Sequence, residues 1–497
     1  MRVDATANIG TGHFMRCLTL AEELKKQGCL IRFVSRDLPP HLCSLLEAKG
    51  MEFIALNNET SSAGTDELAH SAWLGTSQAQ DASETLVAIA DQAWDWMVVD
   101  HYALDARWES TIRKQAKQIM AIDDIADRQH DCDVLLDQNY YRDMEARYDG
   151  KVPARCRMLL GPRYALLREE FRILRAQVQS RTGEVKRILM FFGGVDAGNY
   201  TGQAIDALSG LDIEGVEVDV VIGAQHPRRT EIEQACAAQG YVCHVQTSRM
   251  AELMVAADLA IGAGGTAIWE RCCLGLPALS ICVAENQRKQ IEDAAAAGML
   301  YAPEGKEDPT ALIRFHAKAL MENPLLLKLI SAIGMKTVDG KGPLRVAGSM
   351  NALGIELRMA IDTDSRKLFE WRNHPAIRVV SRNSLPIAWE DHLDWFNSQR
   401  ASKDKALLIG HADDRAVGVV RFDMEGEAAE ISIYLVPEGG FEGQGRNLLT
   451  NAEKWLQTNR PDIKRIRANV LGKNTVSQRL FSGANYRLEA ASYLKEI

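Results

Sequence analysis

The sequence lacks the features that mark membrane-bound or nucleic-acid-binding proteins. No stretch approaches the roughly 20 consecutive apolar residues that cross a bilayer, and residues 1–4 do not begin an apolar secretory segment. No block of lysine and arginine is large enough to bind nucleic acid, in a chain whose formal net charge is -9. The sequence therefore predicts a cytoplasmic protein that binds neither a membrane nor nucleic acid.

A metal-binding pattern is also missing from the 10 cysteines. They are scattered, only Cys272 and Cys273 are adjacent, no C-x-x-C is present, and none is spaced with histidine as metal ligands are. Single cysteines in apolar runs of a reduced protein mostly pack in the interior. We therefore expect a reduced protein that works without a metal.

The chain is ordinary in composition but long. Hydrophobic residues make up 46% and charged residues 25% of its 497 residues, as in soluble globular proteins. A single hydrophobic core does not grow to this length, so two or three domains are expected.

Short apolar runs alternate with helical patterns over the first two thirds of the chain, which is typical of parallel βαβ units. The first series of predicted strands covers residues 2–5, 30–34, 96–100, 118–123 and 133–137. The second covers residues 187–192, 216–222, 241–245, 259–261 and 279–283. We predict two Rossmann-like domains, 1–165 and 166–340, facing across a cleft where ligands meet the carboxyl ends of the strands.

Glycines punctuate the stretch from about residue 335 to 354, after which the pattern changes. Helices are predicted at 365–371, 389–400 and 446–459, and strands at 406–410, 416–423, 430–436 and 465–470. The predicted fold class is α/β throughout, with a third α/β domain over 355–497.

A glycine-rich turn, Gly10-Thr11-Gly12, leads from the first strand into a helix predicted over 15–27. Amides at a helix start suit an anion. His13 lies at this helix start, where a histidine either accepts a proton from water or simply packs against the turn.

This turn and later motifs, in the same order, resemble the UDP-2,4-diacetamido-2,4,6-trideoxy-β-L-altropyranose hydrolases of pseudaminic acid biosynthesis. The motifs lie at 4–5, 9–21, 99–102, 122–124, 135–139, 161–171 and 192–196. The resemblance implies the glycosyltransferase-B fold, release of UDP by water, and His13 as the base. Residues expected to contact the substrate are Gly12, Arg16, Asp100, His101, Tyr102, Tyr164 and Arg168.

A second glycine-rich segment follows the strand predicted at 259–261. Gly264, Gly265 and Thr266 can present amides to a diphosphate, and Glu270 follows one helical turn later. The segment resembles UDP-sugar enzymes of the same fold, including the muramyl-peptide glucosaminyltransferase. That resemblance implies that Glu270 binds the ribose and that Asn286 and Gln287 lie near the nucleotide and sugar. Alternatively, Glu270 is a solvated helix residue.

Alternating glycines in Gly439-Gly440-Phe441-Glu442-Gly443-Gln444-Gly445-Arg446 precede the helix predicted at 446–459. The run resembles the acetyl-CoA loop of GCN5-related N-acetyltransferases, although Gly440 replaces the usual Gln or Arg. The resemblance extends over residues 355–497 and implies acetyl-CoA as cosubstrate. The residues expected to hold it are Leu435, Val436, Phe441, Gly443, Gln444, Gly445, Arg446, Asn474, Ser477 and Phe481.

The catalytic groups of this third domain are less definite. Phe481 occupies the position at which many relatives carry the Tyr that returns a proton to CoA. Tyr434 or water therefore serves as the acid, or the site is impaired, and Glu430 is the candidate base.

The function that the resemblances imply is N-acetylation of a UDP-4-amino-4,6-dideoxy-N-acetyl-altrosamine, followed by hydrolysis of the product to free sugar and UDP. One alternative is a UDP-sugar glycosyltransferase fused to an acetyltransferase of other specificity. A second is a nucleotide-sugar-binding protein with a degenerate acetyltransferase domain.

Overall fold

The computed structural model describes residues 1–497 except 7–8, 58–65, 212, 305–307, 351–354, 382, 413–414, 438, 440, 442 and 490–497, together with the side chain of 286. The chain forms two compact units, Met1–Pro343 and Leu344–Ile497. None of the helices in the described parts of the chain has the length and apolar composition needed to span a bilayer.

The first unit begins with a seven-stranded sheet in which every pair of neighbours is parallel. Its strands are β1 (Arg2–Val3), β2 (Arg32–Ser35), β3 (Glu52–Ala55), β4 (Trp94–Asp100), β5 (Ala116–Ile122), β6 (Val134–Asp137) and β7 (Arg157–Leu160). The accompanying helices are α1 (Gly12–Lys26), α2 (Pro40–Ala48), α3 (Gln78–Ala88) and α4 (Ala106–Ile112). The strand order is β3-β2-β1-β4-β5-β6-β7, so the winding reverses between β1 and β4.

A five-stranded parallel sheet completes this unit, in the order β10-β9-β8-β11-β12. Its strands are β8 (Arg187–Phe191), β9 (Glu217–Ile222), β10 (Val242–Val245), β11 (Leu259–Ala263) and β12 (Ala278–Ile281). The helices are α5 (Glu169–Arg175), α6 (Tyr200–Ser209), α7 (Arg229–Gln239), α8 (Met250–Ala256), α9 (Ala267–Cys273), α10 (Arg288–Ala296), α11 (Pro309–Met321) and α12 (Pro324–Thr337).

Both faces of the second sheet are buried. Leu189 and Ala260 belong to one apolar cluster, whereas their chain neighbours Ile188 and Ile261 belong to the cluster on the opposite face. A parallel sheet needs helices on both sides because successive side chains point to opposite faces. Two sheets of Rossmann type in one unit confirm the predicted fold class, and each has its switch point, where ligands bind, beside its first strand.

Hydrogen bonds join the two sheets of the first unit. The side-chain oxygen of Asn139, just after β6, accepts bonds of 3.0 Å from Trp269 Nε1 on α9 and from Gln290 Nε2 on α10. Asn139 and Gln290 are almost fully buried and Trp269 is completely so. These bonds hold the carboxyl edge of the first sheet beside the helices that follow β11 and β12.

The second unit contains one five-stranded sheet in the order β13-β14-β15-β16-β17. Its strands are β13 (Glu356–Met359), β14 (Lys405–Ala412), β15 (Arg415–Glu425), β16 (Ala428–Leu435) and β17 (Arg465–Ala468). The helices from residue 342 onward are α13 (Gly342–Met350), α14 (Ser365–Asn373), α15 (Pro375–Arg378), α16 (Trp389–Ala401), α17 (Gly445–Asn459) and α18 (Thr475–Gly483). Neighbouring strands are antiparallel except for β16 and β17, which are parallel.

Each face of this sheet has its own apolar cluster. Phe422 and Ile431 pack with Leu448 of α17 on one face. Val419 and Tyr434 pack with Leu368 of α14 on the other. Side chains of opposite parity on β15 and β16 therefore face different helices.

The predicted strands are confirmed, but β3, β7 and β13 were not predicted. They are four residues long and largely half-exposed, so no long apolar run marks them.

The glycine-rich stretch 335–354 was interpreted as a connection, yet α12 continues to Thr337 and α13 occupies 342–350. Gly340, with φ of +75°, separates the two helices. The domain limits 165/166, 340 and 355 stay predictions.

A buried ion pair stabilises the first sheet. His130 Nδ1 lies 2.8 Å from Glu109 Oε1, and His130 Nε2 lies 3.6 Å from Asp123 Oδ2. Burial opposes the charged imidazole, but hydrogen bonds and attraction to Asp123 and Glu109 outweigh it and raise the pKa of His130 from 6.5 to about 9. His130 is therefore protonated in the folded chain at neutral pH.

We expect the His130→Gln variant to lose a pH-dependent part of the stability. Because the folded-state pKa is raised, the contribution of His130 is fully present below about pH 6.5 and disappears as the pH rises through about 9. Between pH 6.5 and pH 9.5, the free energy of unfolding measured with urea should fall by on the order of 3 kcal/mol more in wild type than in the variant. The exposed His41→Gln should behave like wild type, and equal losses in wild type and His130→Gln would contradict this assignment.

Candidate functional site

The turn before α1 is open. Gly10 has φ of +74°, and a side chain on Gly10 or Gly12 would meet no atom within 4 Å. Thr11 precedes α1 but its side chain does not cap the first amides of the helix. Because no side-chain cap is described for α1, its first amides and positive dipole end suit an anion.

His13 and Arg16, one helical turn apart on α1, share the carboxylate of Asp100 at the end of β4. His13 Nδ1 lies 2.6 Å from Asp100 Oδ1. Arg16 donates from Nε to Oδ2 at 2.6 Å and from Nη2 to Oδ1 at 2.7 Å. The structure thus brings together three residues that were predicted separately from two distant motifs.

This arrangement defines which nitrogen of His13 is basic. Arg16 Nη2 also lies 3.1 Å from His13 Nδ1, but a guanidinium can only donate, and it already donates to Asp100. The shorter contact with the acceptor-only carboxylate places the proton on Nδ1. Nε2 then carries the lone pair and can accept a proton.

Asp100 stays ionised in this environment. Burial alone would raise its pKa, but the Arg16 guanidinium and His13 outweigh burial and hold the pKa of Asp100 well below its ordinary value. A permanent carboxylate beside the imidazole orients the ring and stabilises the imidazolium that forms when the ring accepts a proton.

A second carboxylate extends the cluster. Arg16 donates from Nη1 to Asp124 Oδ2 at 2.8 Å, and the Tyr102 hydroxyl donates to the other Asp124 oxygen. Burial and the Asp124 charge raise the pKa of Tyr102 well above its ordinary range, so the phenol keeps its proton. Its ring contacts His13 edge-on at a centroid distance of 4.7 Å.

The sequence interpretation missed two aromatic residues beside this cluster. The ring centroids of His70 and Trp73 lie 5.4 Å and 5.8 Å from that of Tyr102, and 4.4 Å from each other. Both side chains are half-buried. No motif marks them, and only the aromatic pair at positions 70 and 73, before the predicted helix, could have drawn attention to this segment.

His101 and Tyr164 are placed differently from the other predicted contacts. His101 is buried, its Nε2 lies 3.4 Å from Asp4 Oδ2, and its Nδ1 accepts a bond from the Ala103 amide at 3.1 Å. Tyr164 ends the short turn Pro162–Tyr164, and the Arg163 guanidinium lies 5.1 Å from its ring. No contact described for this part of the chain joins either residue to His13, and their substrate roles stay predictions.

The second glycine-rich segment, residues 264–266, packs against the turn that follows β12. A side chain on Gly264 would collide with Ile291 Cδ1 at 2.7 Å, and Gln287 Oε1 is 3.0 Å from the same point. Gly265 has φ of +76°. Gln287 Oε1 is buried and finds no donor among the described residues, whereas Thr266 is exposed. The predicted group 264–266 and Gln287 are thus together, while the side chain of Asn286 lies outside the described residues.

Glu270 is half-buried on α9 and lies near a cation. Arg168 Nη2 is 3.9 Å from Glu270 Oε1 and 3.0 Å from Glu170 Oε1. Burial raises the pKa of Glu270, and the positive charge of Arg168 opposes that rise. A partly desolvated carboxyl group can form strong hydrogen bonds with vicinal hydroxyl groups.

Across the residues that the structure describes, no group of three or more His, Cys, Asp or Glu side chains has the arrangement of a metal site. The expectation that both reactions proceed without a metal stays a prediction.

The sheet of the second unit opens beside the third glycine segment. β16 pairs with β17 only from Ala428 to Ile431, whereas its pairing with β15 continues to Leu435. Residues 432–435 of β16 therefore have a free edge on the β17 side, within the described residues. Backbone groups at such an edge can pair with an extended ligand.

The glycine segment itself has a compact geometry. Gly443 has φ of +95°, and a side chain there would meet Arg345 O at 2.8 Å. Gln444 is buried and donates to Gly348 O at 2.6 Å. Gly445 begins α17, and the Val436 amide donates to Val417 O at 2.9 Å. The turn before α17 thus packs against residues 345–348. The pyrophosphate cradle at its amides stays a prediction, and Gly440 lies outside the described residues.

Other predicted cofactor residues have structural partners. Asn474 caps α18 by accepting a bond from the Ser477 amide at 3.0 Å. Phe481 and Phe441 belong to the buried apolar cluster on the α17 face, and the Arg415 guanidinium lies 4.8 Å from the Phe441 ring. Arg446 lies on the first turn of α17 and approaches Gly483. A Cβ atom at Gly483 would lie 3.5 Å from Arg446 Nη1.

Glu430 and Tyr434 share one face of β16, opposite Asp423 and Val419 of β15 respectively. Burial raises the pKa of Tyr434, and the charges of Arg372 and Arg421 oppose that rise. The phenol is therefore protonated but gives up its proton reluctantly. Tyr486 packs on Phe481 and donates to Glu453 Oε1 at 2.8 Å.

Comparison with known proteins finds two kinds of similarity in this chain. Residues 366–486 match the acetyltransferase (GNAT) family. The Campylobacter jejuni UDP-2,4-diacetamido-2,4,6-trideoxy-β-L-altropyranose hydrolase is 23% identical over 290 residues, covering 58% of this chain and 92% of that protein.

Two further proteins show the extent of the similarity. The Methanocaldococcus jannaschii protein MJ1062 is 23% identical over 508 residues, covering 97% of this chain and 95% of that protein. The crystal structure of Acinetobacter baumannii MurG covers 68% of this chain and 95% of its own, with 15% identity and a TM-score of 0.46. The chain thus joins a region similar to a nucleotide-sugar enzyme to a GNAT acetyltransferase domain.

Proposed function

We propose that the second unit transfers an acetyl group from acetyl-CoA to the 4-amino group of a UDP-4-amino-4,6-dideoxy-N-acetyl-altrosamine. The first unit then hydrolyses the resulting UDP-2,4-diacetamido-2,4,6-trideoxy-altropyranose to free sugar and UDP. The observation that carries the hydrolytic half is the bond between His13 Nδ1 and Asp100. Similarity to the Campylobacter jejuni hydrolase supports the choice of substrate.

In the hydrolysis, His13 Nε2 accepts a proton from a water molecule whose oxygen attacks the anomeric carbon. The bond from that carbon to the phosphate oxygen breaks, and UDP leaves with the electron pair. Asp100 stabilises the imidazolium. The amides at the start of α1 and of residues 264–266 stabilise the diphosphate, and Glu270 binds the ribose hydroxyls.

In the acetyl transfer, the sugar amine attacks the thioester carbonyl, the carbon–sulfur bond breaks, and the thiolate takes a proton. Acetyl-CoA, when bound, supplies the activated acetyl group. Glu430 accepts a proton from the amine. Either Tyr434 or a water molecule returns a proton to the thiolate.

The coupled scheme predicts a dependence of one product on the other. With the UDP-4-amino sugar and acetyl-CoA, both free CoA thiol and UDP should appear, and UDP should form only after acetylation. Thiol release measured with a disulfide reagent and UDP release measured by chromatography give the two time courses. UDP formed without acetyl-CoA, or only when a second sugar or lipid acceptor is added, would contradict the scheme; the latter would indicate a glycosyltransferase.

The His13–Asp100 pair predicts which variants lose UDP release alone. His13→Ala should lower kcat for UDP release by at least about 100-fold, because the base is lost. Asp100→Asn should lower it by about as much, because the amide can donate to Nδ1 and favours the wrong tautomer. Thiol release should stay at the wild-type rate in both.

Asp95→Asn is the matched control, since Asp95 lies on the same strand with 78% of its side chain exposed. It should release UDP at the wild-type rate. If Asp100→Asn hydrolysed the substrate at the wild-type rate, with a circular dichroism spectrum like that of wild type, the assignment of His13 as an Asp100-oriented base would be wrong.

A further inference from the structure

Three arginines of the second unit have buried nitrogens that lack an acceptor. They are Arg372 Nη1 on α14, Arg378 Nε at the end of α15 and Arg421 Nε on β15, and none has a hydrogen-bond partner among the described residues. Buried donors in folded proteins are nearly always paired, so a group of unpaired ones indicates an acceptor supplied by a ligand. Guanidinium groups are matched best by phosphate or carboxylate oxygens.

The positive charges of Arg421 and Arg378 both act on Arg372. Burial lowers the pKa of Arg372, Tyr434 opposes this, and the positive charges of Arg421 and Arg378 lower the pKa further. Asp423 Oδ2 lies 2.7 Å from Arg421 Nη2, and Arg372 Nη2 donates to Asn383 O at 3.2 Å. These partners leave an excess of positive charge in a half-buried place, which an anion would relieve.

The strand register places this positive cluster beside the proposed chemistry. Arg421 is directly opposite Ser432, two residues from both Glu430 and Tyr434 on β16. Side chains two residues apart on a strand share a face. Arg421, Glu430 and Tyr434 therefore lie on the same face of the sheet.

This is not the face on which the glycine loop begins its helix. Leu448 of α17 packs against Phe422 and Ile431, whereas Leu368 of α14, the helix that carries Arg372, packs with Tyr434 and Val419. Arg421 and the helix that carries Arg372 thus lie on the face opposite to the one covered by α17, whose start forms the predicted pyrophosphate cradle, and Arg378 is linked to them through the effect of its charge on Arg372. A ligand of the arginines differs from the ligand of the cradle.

We propose that Arg372, Arg378 and Arg421 bind the phosphate groups of the acceptor, a nucleoside diphosphate sugar, and thereby hold its amine at Glu430. The proposal rests on the acetyl transfer proposed above and adds the site at which its acceptor is recognised. It explains why this face carries buried cations although the chain as a whole is acidic.

The test compares two acceptors with each variant of the full chain. Arg378→Gln should raise KM for the UDP-linked 4-amino sugar about tenfold, the loss expected for one charged hydrogen-bonding group. With the same amino sugar lacking UDP, kcat/KM should equal that of wild type, and KM for acetyl-CoA should not change. Arg378→Lys should restore part of the affinity, because it keeps the charge without the forked geometry.

Arg366→Gln is the matched control, because Arg366 lies on α14, pairs with Glu370 at 3.0 Å and has 66% of its side chain exposed. It should resemble wild type with both acceptors. Arg421→Gln provides a second variant in case Arg378→Gln does not fold. A rise in KM for acetyl-CoA would mean that the arginines hold CoA phosphates, and equal losses with both acceptors would mean a structural role; either would overturn the proposal.

Failure of the proposed function gives a different result. If wild type released no thiol with either acceptor, the acetyl transfer proposed above would fail, and calorimetric titration with inorganic pyrophosphate would still test the site. Wild type should then show one binding event more than Arg378→Gln. Identical titration curves for wild type, Arg378→Gln and Arg421→Gln would overturn the arginine site itself.

Discussion

The carboxylate of Asp100 is the group on which the first unit's site depends. It accepts two bonds from Arg16 and faces His13 Nδ1 at 2.6 Å, so one side chain ties the start of α1 to the end of β4. The same contacts keep Asp100 ionised, since Arg16 and His13 outweigh the cost of burial. The position of His13 and the tautomer assigned to it therefore follow from one buried interaction, and the open glycine turn before α1 is held in place with it.

Acidic residues and arginines are arranged differently in the candidate sites of the two units. The carboxyl edge of the first sheet is rich in aspartates. Several of them have an arginine nitrogen within 3 Å of a carboxylate oxygen. The pairs are Asp4 with Arg2, Asp100 with Arg16, Asp123 with Arg128, and Asp137 with Arg147. In the second unit, buried nitrogens of Arg372 on α14, Arg378 on α15 and Arg421 on β15 have no acceptor among the described residues. The Arg16–Asp100 pair positions His13, whereas this group of unpaired arginine donors favours an anionic ligand.

Sequence patterns predicted most strands and the residues at their carboxyl ends, because buried parallel strands form apolar runs with a sharp polar end. These patterns could not show which of two adjacent residues at a strand end contacts His13. Asp100 and His101 are adjacent at one strand end and were treated alike, yet Asp100 meets His13 whereas His101 turns to Asp4. The alternation of side chains makes this difference, but register is needed to see it. The pairing of Tyr102 with Asp124 and the arginine cluster join segments far apart in sequence, so no local pattern marks them.

The tautomer of His13 is the most direct test of this account. Nitrogen-15 NMR of the chain labelled at histidine, with His13→Ala used to assign the signal, reports which ring nitrogen carries the proton above the pH at which the imidazole loses its charge. The account predicts a protonated Nδ1 bound to Asp100 and a bare Nε2, and an inverted or mixed population in Asp100→Asn. A signal from wild type with the proton on Nε2 would contradict it, because His13 would then have no lone pair directed at water.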